Sequence, residues 1–424
     1  MKDYDAIDFF RSDSLVADPY PYFEYLRERG PVWREPHHGV VMVTGYEEAI
    51  AVYRDTVTFS SCNSVSGPFP GFPVPLEGDD IGSLIDQYRD QLPMSDQLPT
   101  LDPPQHTAHR ALLMKLITPR RLRENEAFMW RLADRQLDEF LAKGECEFIS
   151  EFAGPFAMLV IADLLGVPEE DHAEFRSRLG GRRPGRAVGS TKDAMAHNPL
   201  EFLYQRFAAY IGERRREPRG DVLTGLAIAK FPDGSTPDVI DVVRIAANLF
   251  AAGQETTVRL LGSALQLIGE RADLQQLLRD DRNRIPNFVE ETLRIESPVK
   301  GDFRLARVAT TIGGVHIPAG TIVMILNGAA NRDPRRFERP AEFRADRTNA
   351  HDQIAFGLGI HSCPGAPLAR AESRVSLNRI LDRMAGIGIS ETAHGPAGAR
   401  RYEYAPTYIL RGLQRLELQF TPID

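Results

Sequence analysis

The chain has 424 residues, 42% hydrophobic and 26% charged, with a formal net charge of −8; it is long enough for several domains and for a core that encloses a cofactor. The acidic balance weighs against a nucleic-acid partner. Three cysteines, Cys62, Cys146 and Cys363, form an odd, sparse set that excludes a disulfide framework and fits a reducing compartment.

The first residues, MKDYDAIDFFRSDS, lack a basic start and an apolar core, so no signal peptide is expected. No run reaches the ~18 apolar residues of a membrane helix; the expected location is the cytoplasm, without membrane contact. PYPYFEYLRERG predicts a helix closed by Gly30, and VWREPHHGVVMVTG a β-hairpin turning at Pro36–Gly39. Thr44 with Glu47 reads as a capping box that opens a helix over YEEAIAVYRD. A stiff proline–phenylalanine loop follows, SGPFPGFPVPLEG. From Pro103 to Val167 the pattern is helix upon helix, with an irregular tract next at Gly180–Ser190 and a helix at DVLTGLAIAK.

The longest helix is predicted from an N-cap at Thr236, with Pro237 at its first position, to about Gly269. Strands return in GGVHIPAGTIVMIL, a helix covers APLARAESRVSLNRILDRMAG, and YILRGLQRLELQF alternates like a strand pair around Gly412. No repeat or linker divides the chain, so residues 1–424 are expected to form one mainly α body with small β-sheets (α+β).

Three motifs carry chemistry. AAGQETT, Ala251 to Thr257, interrupts the longest helix. Ala252 and Thr256 share a face there, with Gly253 beside them, which leaves room for a bulky flat group. A simple helix crossing at Gly253, with Thr256 bonding its own backbone, accounts for the same residues. Glu291 and Arg294 can pair on one helix face. Finally, FGLGIHSCPG holds Cys363 in a glycine turn. A structural zinc site needs four ligands and only His361 is near; a nucleophilic cysteine wants a helix start and a paired histidine. A single thiolate ligand to haem iron fits best.

Phe356-x-x-Gly359-x-His361-x-Cys363-x-Gly365 resembles the haem-ligand loop of the cytochrome P450 family. AAGQETT resembles that family's oxygen-activating turn, and Glu291-x-x-Arg294 its internal ion pair. DPPQHTAHR and NRDPRRFERP also stand in the family's order, so the likeness spans nearly the whole chain.

The resemblance implies a cytochrome P450 fold with haem b between the long central helix and the helix after the cysteine. It makes Cys363 the axial ligand to iron, leaving Cys62 and Cys146 as packing thiols. Phe356, Gly357, Gly365 and, on the opposite side, Ala252 complete the cofactor's surroundings. His106, Arg110, Arg304 and His361 match the propionate partners, with Asp302 a weaker candidate. Glu255 and Thr256 match the acid–alcohol pair that relays protons during dioxygen activation, although aspartate is the more usual acid. Glu342 stands where the family often has an arginine that completes the Glu291–Arg294 network.

The implied activity is an O2-dependent monooxygenase acting on a hydrophobic small molecule, with electrons from an acidic iron–sulfur ferredoxin. Lys115, Arg120, Arg121 and Arg123 are candidates for docking it. The substrate pocket is expected to draw on Phe69, Phe72, Met94, Leu249, Ala252, Val299, Pro406 and Thr407. Alternatives are a peroxide-driven peroxygenase and a haem sensor or carrier.

Overall fold

The computed structural model describes residues 3–179 and 200–423; the tract Gly180–Ser190 lies outside the described residues. Helix α1 (Tyr20–Arg29) stops at Gly30, whose φ of 142° suits glycine alone. Strands β1 (Val32–Arg34) and β2 (Val41–Val43) form the expected hairpin. The capping box does not form. Thr44 Oγ1 donates back to the Gly30 and Pro31 carbonyls, and Gly45 is the N-cap of α2 (Tyr46–Arg54). The Tyr46 N–H at the start of α2 is taken at 2.8 Å by Asp333, a carboxylate from a distant loop.

Then follow β3 (Phe59–Ser60), α3 (Gly82–Tyr88), α4 (Gln105–Met114), α5 (Pro119–Asp138), β4 (Glu145–Glu147) and α6 (Gly154–Leu165). Helices α7 (His172–Leu179), α8 (Glu201–Arg216) and α9 (Val222–Ala227) lead to α10 (Val239–Glu270). At 32 residues, α10 runs about 48 Å. Its N-cap is Asp238, not Thr236, whose hydroxyl accepts from Lys230 Nζ at 2.6 Å. Helices α11 (Ala272–Asp280) and α12 (Ile285–Ile295) precede β5 (Asp302–Ala306), β6 (Thr310–Ile312), β7 (Val315–Ile317) and β8 (Ile322–Ile325). The chain closes with α13 (Asn327–Ala330), α14 (Ala366–Arg383), β9 (Met384–Ile389) and β10 (Glu417–Pro422), with a short helical turn at Glu391–His394 before the last strand.

The sheets are small, ordered β1-β2-β8-β5-β3, β4-β10-β9 and β6-β7. β2 and β8 pair in parallel and are almost wholly buried, as their unbroken apolar runs require. The strand pair expected around Gly412 is absent. Leu410 bridges Val299, Leu413 bridges Tyr404, and β10 pairs instead with β4 and β9. Gly412 makes room instead of a turn. A Cβ there would meet Arg259 Cγ at 2.4 Å, so only glycine lets that buried arginine pass.

The largest apolar cluster gathers α5, α6, α10 and α14 around one core. Where α6 meets α10, a Cβ on Gly253 would stand 3.4 Å from Ile161 Cδ1, so the missing side chain brings the two helices close.

One buried ionic network fixes the tract before the cysteine loop. Arg294 Nε and Nη2 donate to the Glu291 carboxylate at 2.7 and 2.8 Å, and both side chains are fully buried. Arg294 also donates to the backbone carbonyls of Asn331, Pro340 and Glu342. The third member is Arg347, whose Nε reaches Glu291 Oε1 at 3.0 Å. The Glu342 side chain lies outside, and its carbonyl accepts from both arginines. The charges are thus met by pairing and by carbonyls, as burial demands. Glu291→Gln is expected to lower the unfolding free energy by about 3–5 kcal/mol, and Arg347→Met by less, because Arg294 still grips the carboxylate with both nitrogens. Chemical denaturation of the two variants checks the ranking.

Candidate active site

The cysteine loop is built from its hydrogen bonds outward. Asn331, whose carbonyl Arg294 holds, accepts from Ile354 N at 2.8 Å and so anchors the loop's entry. Gly357 and Gly359 adopt φ of 65° and 73°, and a Cβ on Gly359 would stand 2.6 Å from the Tyr53 carbonyl oxygen. Cys363 N then donates to Phe356 O at 2.8 Å, closing the turn immediately before α14.

The Cys363 thiol is accessible, yet protein encloses it closely enough that desolvation dominates its chemistry. Desolvation raises its pKa above the ordinary 9.0, while the Gly365 N–H, Arg110 and the Ala366 N–H pull the other way. Such a sulfur is a poor free nucleophile, but it gives a thiolate once a metal cation binds it. Cys62 and Cys146 are buried and unpaired; burial pushes the Cys62 thiol up to about 11 and that of Cys146 up as well.

Four expected propionate partners converge beside this loop. His106 on α4 is 2% exposed, and neither ring nitrogen has a hydrogen-bond partner among the described residues. Its ring lies 4.1 Å from that of His361, whose Nε2 meets Ser61 Oγ at 3.0 Å. Arg110 donates to the Ser362 carbonyl at 2.7 Å and Arg304 to that of Phe303 at 2.6 Å. Among the described residues, neither arginine has a carboxylate within ion-pair distance. Desolvation, then Arg110, pushes His106 down to about 4; desolvation, then Arg304, pushes His361 down to about 3.

The acids at hand are already engaged. Asp102 holds Ser60, Ser61, Arg89 and Arg307, and Asp302 holds the Tyr53 hydroxyl and Asn327. Asp302 is thereby a poor propionate partner. Two arginines and two partly desolvated imidazoles, one with both nitrogens free, make a site for an anionic group. This donor set and the thiol fit a haem, its propionates at the cations and its iron at Cys363.

Across the cleft, α10 shows both features of the simple helix-crossing reading: Gly253 against Ile161, and Thr256 Oγ1 donating to Ala252 O at 2.9 Å. The notch is nevertheless open on its other side, where Ala252 is exposed at the middle of the long helix. Glu255 does not face Thr256; it pairs with Arg259, which is nearly buried. Thr257 turns the opposite way and donates to Glu372 Oε2 on α14 at 3.0 Å.

The expected pocket residues divide. Leu249 is buried on α10, and the Val299–Leu410 bridge brings Val299 beside the segment of Pro406 and Thr407. Phe69 packs on Phe10 and His38, and Phe72 on Tyr88, in apolar clusters separate from that of Leu249. Met94 holds Thr100 through its carbonyl, at a φ of 56°.

Sequence reasoning missed Arg347, Arg259 and Glu372. Glu372 had a visible signal, an acid on the face of α14 that carries Leu368 and Val375. Arg259 had none, because its burial depends on Gly412, far along the chain.

This chain belongs to the cytochrome P450 family, and its fold is that of a P450 monooxygenase. Residues 195–385 match the family model described as Cytochrome P450. Cytochrome P450 144 of Mycobacterium tuberculosis is 33% identical over 98% of this chain and 91% of its own. Substrate-free CYP150A6 of Mycobacterium marinum superposes with a TM-score of 0.94 at 60% identity, covering 99% of this chain and 100% of that one. CYP109E1 of Bacillus megaterium, solved with corticosterone, gives a TM-score of 0.78 at 26% identity over 96% of this chain and 100% of that one. Among the described residues no helix is long and apolar enough to cross a membrane.

Glu372 yields a pH prediction. It is fully enclosed, and desolvation lifts its pKa from 4.5 to about 8. Between these values the native state holds a proton that the unfolded chain has released, so this group makes stability fall as pH rises, by up to about 1.4 kcal/mol per unit. Glu372→Gln is expected to flatten that decline between about pH 5 and 8, read from Tm against pH.

Proposed function

We propose that the chain is a haem-thiolate monooxygenase that carries haem b and oxidises a hydrophobic small molecule with electrons from a ferredoxin. The observation that carries this reading is the pairing of an accessible but desolvated thiol at Cys363 with a buried His106 whose ring nitrogens have no hydrogen-bond partner among the described residues. When bound, the haem supplies O2 activation and oxygen transfer. Cys363 provides the one protein ligand; His106, Arg110, Arg304 and His361 hold the propionates, while Phe356, Gly357, Gly365 and Ala252 leave space for the macrocycle.

The chain's own contribution to the reaction is proton supply and exclusion of water. Thr256 donates to the Ala252 carbonyl, which leaves its oxygen lone pairs free to accept a proton donor from the cleft. Glu255, half-exposed on its Arg259 partner, reaches either solvent or Thr256 by side-chain rotation. This acid–alcohol pair favours the O2-dependent reaction over a peroxygenase, and a sensor or carrier has no use for it. Leu249, Ala252, Val299, Pro406 and Thr407 line the apolar pocket; the corticosterone in CYP109E1 is a hydrophobic ligand of the same kind. We place the enzyme in the cytoplasm.

For the ferredoxin, the docking candidates shift. Lys115 reaches the Lys230 carbonyl, Arg120 pairs with Glu124, and Arg121 donates to the Leu164 carbonyl, while Arg123 is exposed. Beside the cysteine helix, a groove of about 290 Å³ between α5, α12 and α14 has Arg123 at its rim over an apolar floor that includes Leu122 and Val289, while Arg370 pairs with Glu290 and Arg374 with Glu126. The exposed Arg123 is the cation here that suits an acidic electron donor.

Cys363→Ser is expected to abolish the thiolate-type band of the reduced, CO-bound protein, whereas Cys62→Ser and Cys146→Ser keep it; an imidazole-type spectrum in the folded wild type overturns the reading. Thr256→Ala should leave that band intact while diverting reductant from product to hydrogen peroxide. Unchanged coupling between reductant and product removes Thr256 from the proton supply.

A further inference from the structure

Lys300 is a buried cation for which neither haem binding nor proton supply has a use. It is 5% exposed, and its Nζ donates to the Thr407 carbonyl. No carboxylate lies within ion-pair distance of it among the described residues. The two neighbouring arginines have carboxylates of their own: Arg411 binds Glu296 at 2.6 Å, and Arg259 binds Glu255. Lys300 therefore sits in a positive field, and desolvation, Arg411 and Arg259 together push its pKa down to about 7.

A structural tie does not account for the ammonium. The last loop is already joined to this segment by Lys300 N to Ile409 O at 2.6 Å and Arg411 N to Pro298 O at 2.9 Å. An apolar side chain at this position would keep both bonds without burying a charge.

Contacts place the ammonium. Lys300 lies in the link just before β5, next to Val299, which bridges Leu410. Its Nζ reaches the Thr407 carbonyl, so the charge sits at the segment that carries the expected pocket residues Pro406 and Thr407, and Arg259 of α10 acts on it.

We infer that Lys300 anchors the carboxylate of the substrate, which makes the substrate a hydrophobic monocarboxylic acid. This rests on the monooxygenase reading. The incoming carboxylate supplies the partner that Lys300 lacks, while the apolar walls take the hydrocarbon.

The haem-loaded enzyme is titrated with three acids, each beside its methyl ester: dodecanoic, 4-hexylbenzoic and dehydroabietic acid. Binding is followed by the low-to-high spin shift and by equilibrium dialysis. At least one acid is expected to bind about tenfold or more tighter than its ester. Lys300→Gln, which retains a donor for the Thr407 carbonyl, should erase that preference, and Lys300→Arg should keep it. The inference is overturned if no acid is preferred in the wild type, or if the preference survives in Lys300→Gln. CO-bound spectra of the same samples separate the two readings. A thiolate-type band with no acid preference sinks the Lys300 anchor alone, whereas an imidazole-type band sinks the haem-thiolate reading and leaves dialysis to decide on Lys300.

Discussion

The grip of Glu291 by Arg294 and Arg347 is the constraint on which the rest of the structure depends. Three fully or nearly buried charges carry a large desolvation cost, and only a complete set of partners offsets it. The set is complete because carbonyls of Asn331, Glu338, Pro340 and Glu342 fill the remaining guanidinium positions. Those carbonyls belong to the irregular tract between α13 and the cysteine loop. Chain without regular secondary structure is thereby held as firmly as a helix, and through Asn331 the hold passes to Ile354 and the loop itself. A ligand to a metal must be placed to a fraction of an ångström, and here the placement comes from ionic and backbone bonds outside the cleft.

The cleft shows the opposite economy. Its polar groups are short of ionic partners: among the described residues the Arg110 and Arg304 side chains hydrogen-bond to carbonyls, and neither ring nitrogen of His106 has a hydrogen-bond partner. A cluster of this kind costs stability in the apoprotein and favours any anion that enters. The same logic raises the Cys363 pKa, which keeps the thiol protonated and unreactive until a metal cation takes it. On the proposed function, a haem bound here would relieve both costs at once, so the residues assigned to it also make the empty fold less stable. Stability is supplied instead by the core around α5, α6, α10 and α14 and by the Glu291 network.

What the sequence disclosed follows from how local each feature is. The Gly30 stop, the hairpin at Pro36–Gly39, the long central helix and the helix after Cys363 depend on near neighbours, and they stand where expected. The failures lie where a distant group intervenes. Asp333 displaces the Thr44 cap, Lys230 occupies Thr236, and Arg259 takes the space that makes Gly412 a passage and not a hairpin turn. In the candidate site, the cysteine turn and the histidine–arginine set were legible as motifs, since a thiol among glycines is unusual in any context. Arg347 was not, because replacing an arginine five positions away requires knowing which carbonyls point inward.

Adjacent threonines on α10 join these two halves. Thr256 turns to the cleft, and Thr257 turns away to Glu372 on α14, the helix that begins just after the cysteine. The two walls of the cleft are thus bonded to one another through neighbouring residues of one helix. A neutral carboxyl suits that bond: it is buried without an ion partner among the described residues, and desolvation favours its uncharged form. An ionic clamp at the same place would bury a charge pair between the two helices at a desolvation cost. The uncharged bond fixes the spacing of the walls and leaves the electrostatics of the cleft to the residues that face it.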